Sequence, residues 1–147
     1  MALSHEKNLT IAAQATNLCY NDHMIIFDFN QVAISNLMEQ IGSSKTAVEE
    51  SLVRPMILNS LRTYVKKFRD SHGPEVIIAC DNKKYWRRDI FPHYKASRKK
   101  IREASGHDWA AIFDCLSKIK QELKDYSPYK VIDVDTAEAD DIIAVLA

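Results

Sequence analysis

Val76-Ile77-Ile78-Ala79-Cys80 is a short, unbroken apolar run that ends in Asp81. A strand with one wet face alternates polar and apolar side chains, so a run without alternation reads as a strand buried on both faces. Such a strand needs pairing partners at its sides and helices on its faces, which commits the chain to a layered α/β fold. The pattern recurs. Met24-Ile25-Ile26-Phe27 ends in Asp28, and Tyr129 to Val134 forms a third run with Asp133 and Asp135 at its end and Glu138, Asp140 and Asp141 directly after.

Helical patterns separate the three runs. Val32 to Ile41 predicts a short helix up to the break Gly42-Ser43-Ser44, where a serine can cap the next helix. Leu52, Met56, Ile57, Leu61, Tyr64, Val65 and Phe68 recur at helical spacing, with Gly73-Pro74 as the stop and Pro55 expected to kink or restart the helix. Asp108 is placed to cap a helix whose stripe is Ile112, Leu116, Ile119, Leu123 and Tyr126, and Trp109 also reads as core. Asp135-Thr136-Ala137-Glu138 has capping-box spacing, so a last helix is expected to start there and to carry Ile142, Ile143, Val145 and Leu146. Residues 1–23 form a polar amino-terminal extension with one short helix expected around Leu9 to Leu18.

Three strands alternating with helices predict a parallel central sheet with right-handed crossovers and helices on both faces. In such a sheet every strand ends at the same edge, where ligands bind. That edge gathers Asp28, Asp81 and the group Glu138 to Asp141 from distant parts of the chain. Carboxylates brought together raise one another's pKa unless cations neutralise them. Oxygen ligands without thiolates suit magnesium or manganese, and the five histidines show neither HxH nor HExxH, which argues against zinc. An aspartate at the end of a strand is also an ordinary helix cap. On an ideal helix Glu138 and Asp141 share a face while Asp140 points away, so periodicity leaves open which of them meet a metal.

Charge is strongly segregated along a chain of zero net charge. Residues 1–81 carry −2, residues 82–102 carry +8 and residues 103–147 carry −6. The basic segment holds Lys83, Lys84, Arg87, Arg88, Lys95, Arg98, Lys99, Lys100 and Arg102 against Asp89 alone, with Tyr85, Trp86, Phe91 and Tyr94 interleaved. Cations alternating with aromatics suit a polyanion with stackable bases, so nucleic acid is the expected partner. Three glycines and no GxxxxGK exclude a phosphate-binding P-loop. Cys19, Cys80 and Cys115 are scattered without CxxC and read as reduced thiols. With no leader pattern and no apolar stretch of spanning length, a cytoplasmic protein without a membrane partner is expected.

Taken in order, Ile25-Ile26-Phe27-Asp28-Phe29-Asn30-Gln31, Ile78-Ala79-Cys80-Asp81-Asn82, Tyr85-Trp86-Arg87-Arg88-Asp89, Tyr94-Lys95 with Arg98, and Ala137-Glu138-Ala139-Asp140-Asp141 resemble the flap-endonuclease or 5′-nuclease family. The likeness covers residues 24–147. It implies a PIN-like domain in which residues 82–107 form a helical arch over a passing single strand. It further implies that Asp28, Asp81, Glu138, Asp140 and Asp141 bind two magnesium ions directly or through water, and that Lys95 and Arg98 approach the scissile phosphate. Lys83, Lys84, Tyr85, Trp86, Arg87, Arg88, Tyr94, Lys99, Lys100 and Arg102 become the nucleic-acid contacts. The activity implied is magnesium-dependent 5′-to-3′ exonuclease or flap endonuclease, removing RNA primers and adjacent DNA from DNA and RNA-DNA duplexes during replication, in bacteriophage members from the host cytoplasm. The family continues with a strand bearing Ser/Asp-x-Asp and a helical DNA-binding motif, so the chain is expected to be an amino-terminal portion, cut after its third strand and the start of the next helix and completed by a carboxyl-terminal fragment. The alternatives are a noncatalytic nucleic-acid-binding piece and the structural half of a split nuclease.

Overall fold

In the computed structural model, residues 23–41 and 48–147 are described. The three apolar runs are strands β1 (Ile25–Asp28), β2 (Val76–Cys80) and β3 (Lys130–Asp133), paired in parallel in the order β1-β2-β3. Ile25 stands opposite Val76 and Cys80 opposite Asp133, so the strands end nearly level. Between them lie helices α1 (Phe29–Ile41) and α2 (Glu50–His72), then α3 (Trp86–Ile90), α4 (Ala96–Ser105) and α5 (Trp109–Tyr126), and after β3 comes α6 (Ala139–Leu146).

All five residues of β2 are buried, and their alternation divides the core in two. Val76, Ile78 and Cys80 face Ala33 and Leu37 of α1, Val53, Ile57 and Leu61 of α2, and Ile112, Leu116, Ile119 and Leu123 of α5. Ile77 and Ala79 face Val134, Ala139 and Ile142 on the side of α6. A sheet that grows in one direction through crossovers of one hand places both crossover layers on the same face. The expected α/β sandwich is thus observed, with α6 alone of the described helices packed on the second face.

Several local expectations change in the structure. Helix α1 starts at Phe29, directly after the strand, because the Asp28 side chain accepts the Gln31 N–H at 3.0 Å and caps the first turn. Helix α2 runs unbroken through Pro55, which lies in its second turn and is exposed, as is Ser51, the residue whose carbonyl it deprives of a helical partner. Its buried row is Val53-Ile57-Leu61, so Leu52 and Tyr64, expected in the stripe, are exposed. Tyr126, expected in the core, is 86% exposed at the last turn of α5, where the helix has run past the sheet. Asp108 caps α5 as expected, accepting from the Ala111 N–H. The capping box of α6 forms three residues later than predicted, between Glu138 and Asp141. Thr136 adopts a left-handed backbone (φ 62°), and the Thr136 and Ala137 carbonyls accept from the Trp86 and Asn82 N–H groups, so residues 135–137 are a turn docked on the exit of β2. The helix expected near Leu9 and the break at Gly42 lie outside the described residues. Among the described residues no helix is long and apolar enough to cross a membrane.

Candidate metal and nucleic-acid site

Asp28 ends β1 and Asp81 follows β2, so both stand at the carboxyl edge of the sheet. Asp81 joins two helix starts there: Oδ1 accepts the Ala139 N–H of α6 and Oδ2 accepts Asn30 Nδ2 of α1, each at 2.7 Å. Burial is the main reason the Asp28 carboxyl titrates above its ordinary value, and the charges of Asp81 and Asp140 push it further up. Asp28, Asp81 and Asp140 are therefore electrostatic neighbours, and among the described residues no lysine or arginine forms an ion pair with any of them.

Glu138 and Asp141 are arranged differently. Glu138, only 2% exposed, accepts from Arg87 Nη1 at 2.7 Å, from the Tyr94 hydroxyl at 2.9 Å and from the Lys95 ammonium. Asp141 accepts both guanidinium nitrogens of Arg87 at 2.6 and 2.9 Å, and the Trp86 indole N–H at 3.1 Å. Burial works to raise both carboxyls, but the hydrogen bonds and positive charges of Lys95, Arg87 and their neighbours outweigh it and hold both below the ordinary range. Arg87 also lies over the Trp86 ring at 4.6 Å. Four residues expected at the nucleic-acid surface or the scissile phosphate, Trp86, Arg87, Tyr94 and Lys95, thus turn polar groups toward two of the expected metal ligands. This pairing fastens the basic segment to α6. Among the described residues no group of three Asp, Glu, His or Cys side chains is arranged to hold a metal ion.

Five cations of the basic segment border an open cavity of about 410 Å³. One wall is the segment from Asn82 to α4, contributing Lys83, Tyr85, Arg88, Lys95, Arg98 and Arg102. The other is built from Phe29 and Asn30 of α1 and from Phe113, Leu116, Ser117 and Lys120 of α5, with Asp81 at the junction. Helices α3 and α4 bury no residue, so Arg88 and Arg98 stay accessible while Arg87 is engaged by Glu138 and Asp141. Lys84, Lys99 and Lys100 are exposed outside the cavity lining, Lys99 near Glu103.

Two members of the site escaped the reading of the sequence. Asn82 Nδ2 donates to Asp133 Oδ1 at 3.0 Å and Lys120 Nζ donates to Asp133 Oδ2 at 2.6 Å, so together they tie the ends of β2 and β3 to α5. Lys120 sits on the same face of α5 as Phe113, Leu116 and Ser117, and helical spacing from that apolar stripe was its only signal.

A parallel α/β sheet with carboxylates at its carboxyl edge and a basic helical segment beside them is the framework of 5′-nucleases. Residues 24–147 match the family described as 5′-3′ exonuclease, N-terminal resolvase-like domain, and the chain belongs to that family. It is similar to the ribonuclease H of Enterobacteria phage T4, with 41% identity over 129 residues. That stretch is 86% of this chain and 42% of the phage protein, so the chain spans less than half the length of the curated relative it matches.

Proposed function

We propose that the chain supplies the cation-binding and strand-gripping part of a magnesium-dependent 5′-nuclease, which hydrolyses phosphodiester bonds at 5′ ends or flaps of DNA and RNA-DNA duplexes and so removes RNA primers and adjacent DNA during replication. The observation that carries this reading is that Asp81 lines the basic cavity and that Asp81, Asp28 and Asp140, neighbours at the carboxyl edge, have no cationic partner among the described residues. These side chains do not form a ready three-ligand site as they stand, and what suits them to a divalent cation is their hard oxygen donors and the raised Asp28 carboxyl, which a cation would bring down. Magnesium is the natural occupant, and manganese shares its ligand preference. When bound, such ions lower the pKa of a coordinated water and offset charge on the phosphate.

The chain's own side chains do the rest. Lys83, Arg88, Arg98 and Arg102 hold phosphates along the cavity, and Tyr85 offers a stacking face. Lys95 faces both Glu138 and the cavity, so an incoming phosphate competes with Glu138 for its ammonium and draws it toward the charge that develops during hydrolysis. Arg87 keeps its bidentate hold on Asp141 and so anchors the arch while Lys95 moves. Glu138 keeps Arg87 and the Tyr94 hydroxyl on Oε2, so only its Oε1 would be released, and that oxygen would help to hold a cation.

Calorimetric titration of the chain with magnesium and manganese tests the reading. Binding is expected in the unaltered chain and is expected to be lost in Asp28→Asn and Asp81→Asn, while single-stranded DNA is still bound. Equal cation binding by all three proteins sinks the assignment. A second reading, a nucleic-acid-binding piece without cleavage, is favoured by the ion pairs at Glu138 and Asp141. A 5′-labelled RNA-primed duplex that is bound but left uncut in magnesium, by this chain and by a version extended with carboxyl-terminal sequence of the phage relative's kind, would establish it.

A further inference from the structure

We propose that Lys120 is a fixed phosphate contact on the rigid wall of the cavity, positioning the strand whose other side is held by the arch. The inference rests on the nucleic-acid reading of the cavity and extends it to a residue outside the basic segment. The two walls differ physically. The arch wall carries Arg88 on α3 and Arg98 and Arg102 on α4, helices that bury nothing. Helix α5, in contrast, is pinned to the sheet by Ile112, Leu116, Ile119 and Leu123, so a cation on it holds its place when the arch shifts.

Lys120 is aimed at that space by a built arrangement. Its ammonium is 2.6 Å from Asp133 Oδ2, while Asp133 Oδ1 is taken by Asn82. Lys120 lines the cavity and Asp133 does not, so the ion pair presents its positive end to whatever enters. An ammonium has three N–H donors, and among the described residues Asp133 is its single acceptor. Along the same face of α5 lie Ser117, Leu116 and Phe113, the last with the Arg102 guanidinium over its ring at 5.6 Å. A strand lying along this wall would set a base against Phe113 and a phosphate at Lys120. Asn82 carries the same network to the residue after Asp81, which keeps this contact in register with the carboxylate edge.

The bland alternative is that Lys120 only neutralises Asp133. The two are separated by measuring the salt dependence of binding of a fluorescein-labelled oligothymidylate to the full chain in the presence of EDTA, by fluorescence anisotropy. Removing one phosphate contact lowers the slope of log K against log salt by about 0.7 for a single strand. Lys120→Met and the double variant Lys120→Met/Asp133→Asn are both expected to show that loss. Lys124→Met, an exposed lysine on the same helix, is expected to keep the original slope. Lys120→Arg is expected to restore it. If the double variant regains the original slope and affinity, Lys120 serves Asp133 alone and the proposal fails. If the unaltered chain binds the oligonucleotide without salt dependence, the nucleic-acid reading of the cavity fails first, which distinguishes the two.

Discussion

At the scale of single residues, the site holds two kinds of carboxylate. Asp28 is disfavoured in its ionised form chiefly by burial, whereas Glu138 and Asp141 are favoured by their cationic partners. Their effects on stability have opposite signs. A raised carboxyl binds its proton more tightly in the folded chain, so ionised Asp28 detracts from stability at neutral pH and the loss is recovered as pH falls through its folded pKa. The lowered pair contributes stability above the ordinary carboxylate values, 4.5 for Glu138 and 3.8 for Asp141, which disappears as pH falls through their folded values. Thermal melting in EDTA should therefore show stability rising on mild acidification and then collapsing at lower pH. Asp28→Asn or added magnesium should remove the rise, and a melting temperature that falls steadily from neutral pH would contradict the assignment. Arg87→Met leaves Glu138 buried with fewer partners and should cost about 3 kcal/mol, read as a lower denaturation midpoint in urea. A loss below about 1 kcal/mol would show that Arg87 is an exposed pair of little weight.

At the scale of elements, the contrast is between α5, which buries one face, and α3 with α4, which bury none and are held by Arg87, Tyr94 and Lys95. Amide exchange in α4 should be much faster than in α5, and trypsin should cut first at Arg98, Lys99, Lys100 or Arg102. Single-stranded DNA should protect these bonds at low salt and lose its effect at high salt, because the contacts are ionic. Equal cutting with and without DNA at low salt would remove the arch from the nucleic-acid surface. The strands and the stripe of α5 were legible in the sequence because burial writes a local period into it. Asp28 and Asp81 were legible for the same reason, standing where an apolar run stops. The start of α6 was misread because Asp135 and Glu138 have capping-box spacing as good as that of Glu138 and Asp141, and the choice is made by Asn82 and Trp86, distant in sequence, which hold the intervening turn. The grip of Arg87 on Asp141 and of Lys120 on Asp133 left no local signal, since neither pair shares an element.

At the scale of the molecule, β1 and β3 are the edges of the sheet among the described residues, and open edges invite further strands. We expect that extending the chain with carboxyl-terminal sequence of the kind the phage ribonuclease H has beyond the matched stretch raises magnesium-dependent cleavage of an RNA-primed duplex well above that of the 147-residue chain. Cleavage of equal strength by both would show that the first carboxylates suffice. The pairing of Ile25 with Val76 and of Ile77 with Lys130 has a consequence in time. No hairpin joins neighbouring strands, so the sheet waits for distant segments to meet, and such non-local closure is slow. On the ribosome β2 finds β1 only after α1 and α2 have emerged, and the Ala139 amide that Asp81 holds comes later still. Residues 82–102 therefore leave the tunnel before Glu138 and Asp141, the carboxylates that grip Arg87 and Lys95. Until α6 follows, Arg87 and Lys95 are made without the acids that fasten their segment to the sheet, so the order of synthesis leaves the most basic stretch of the chain the last to be tied down.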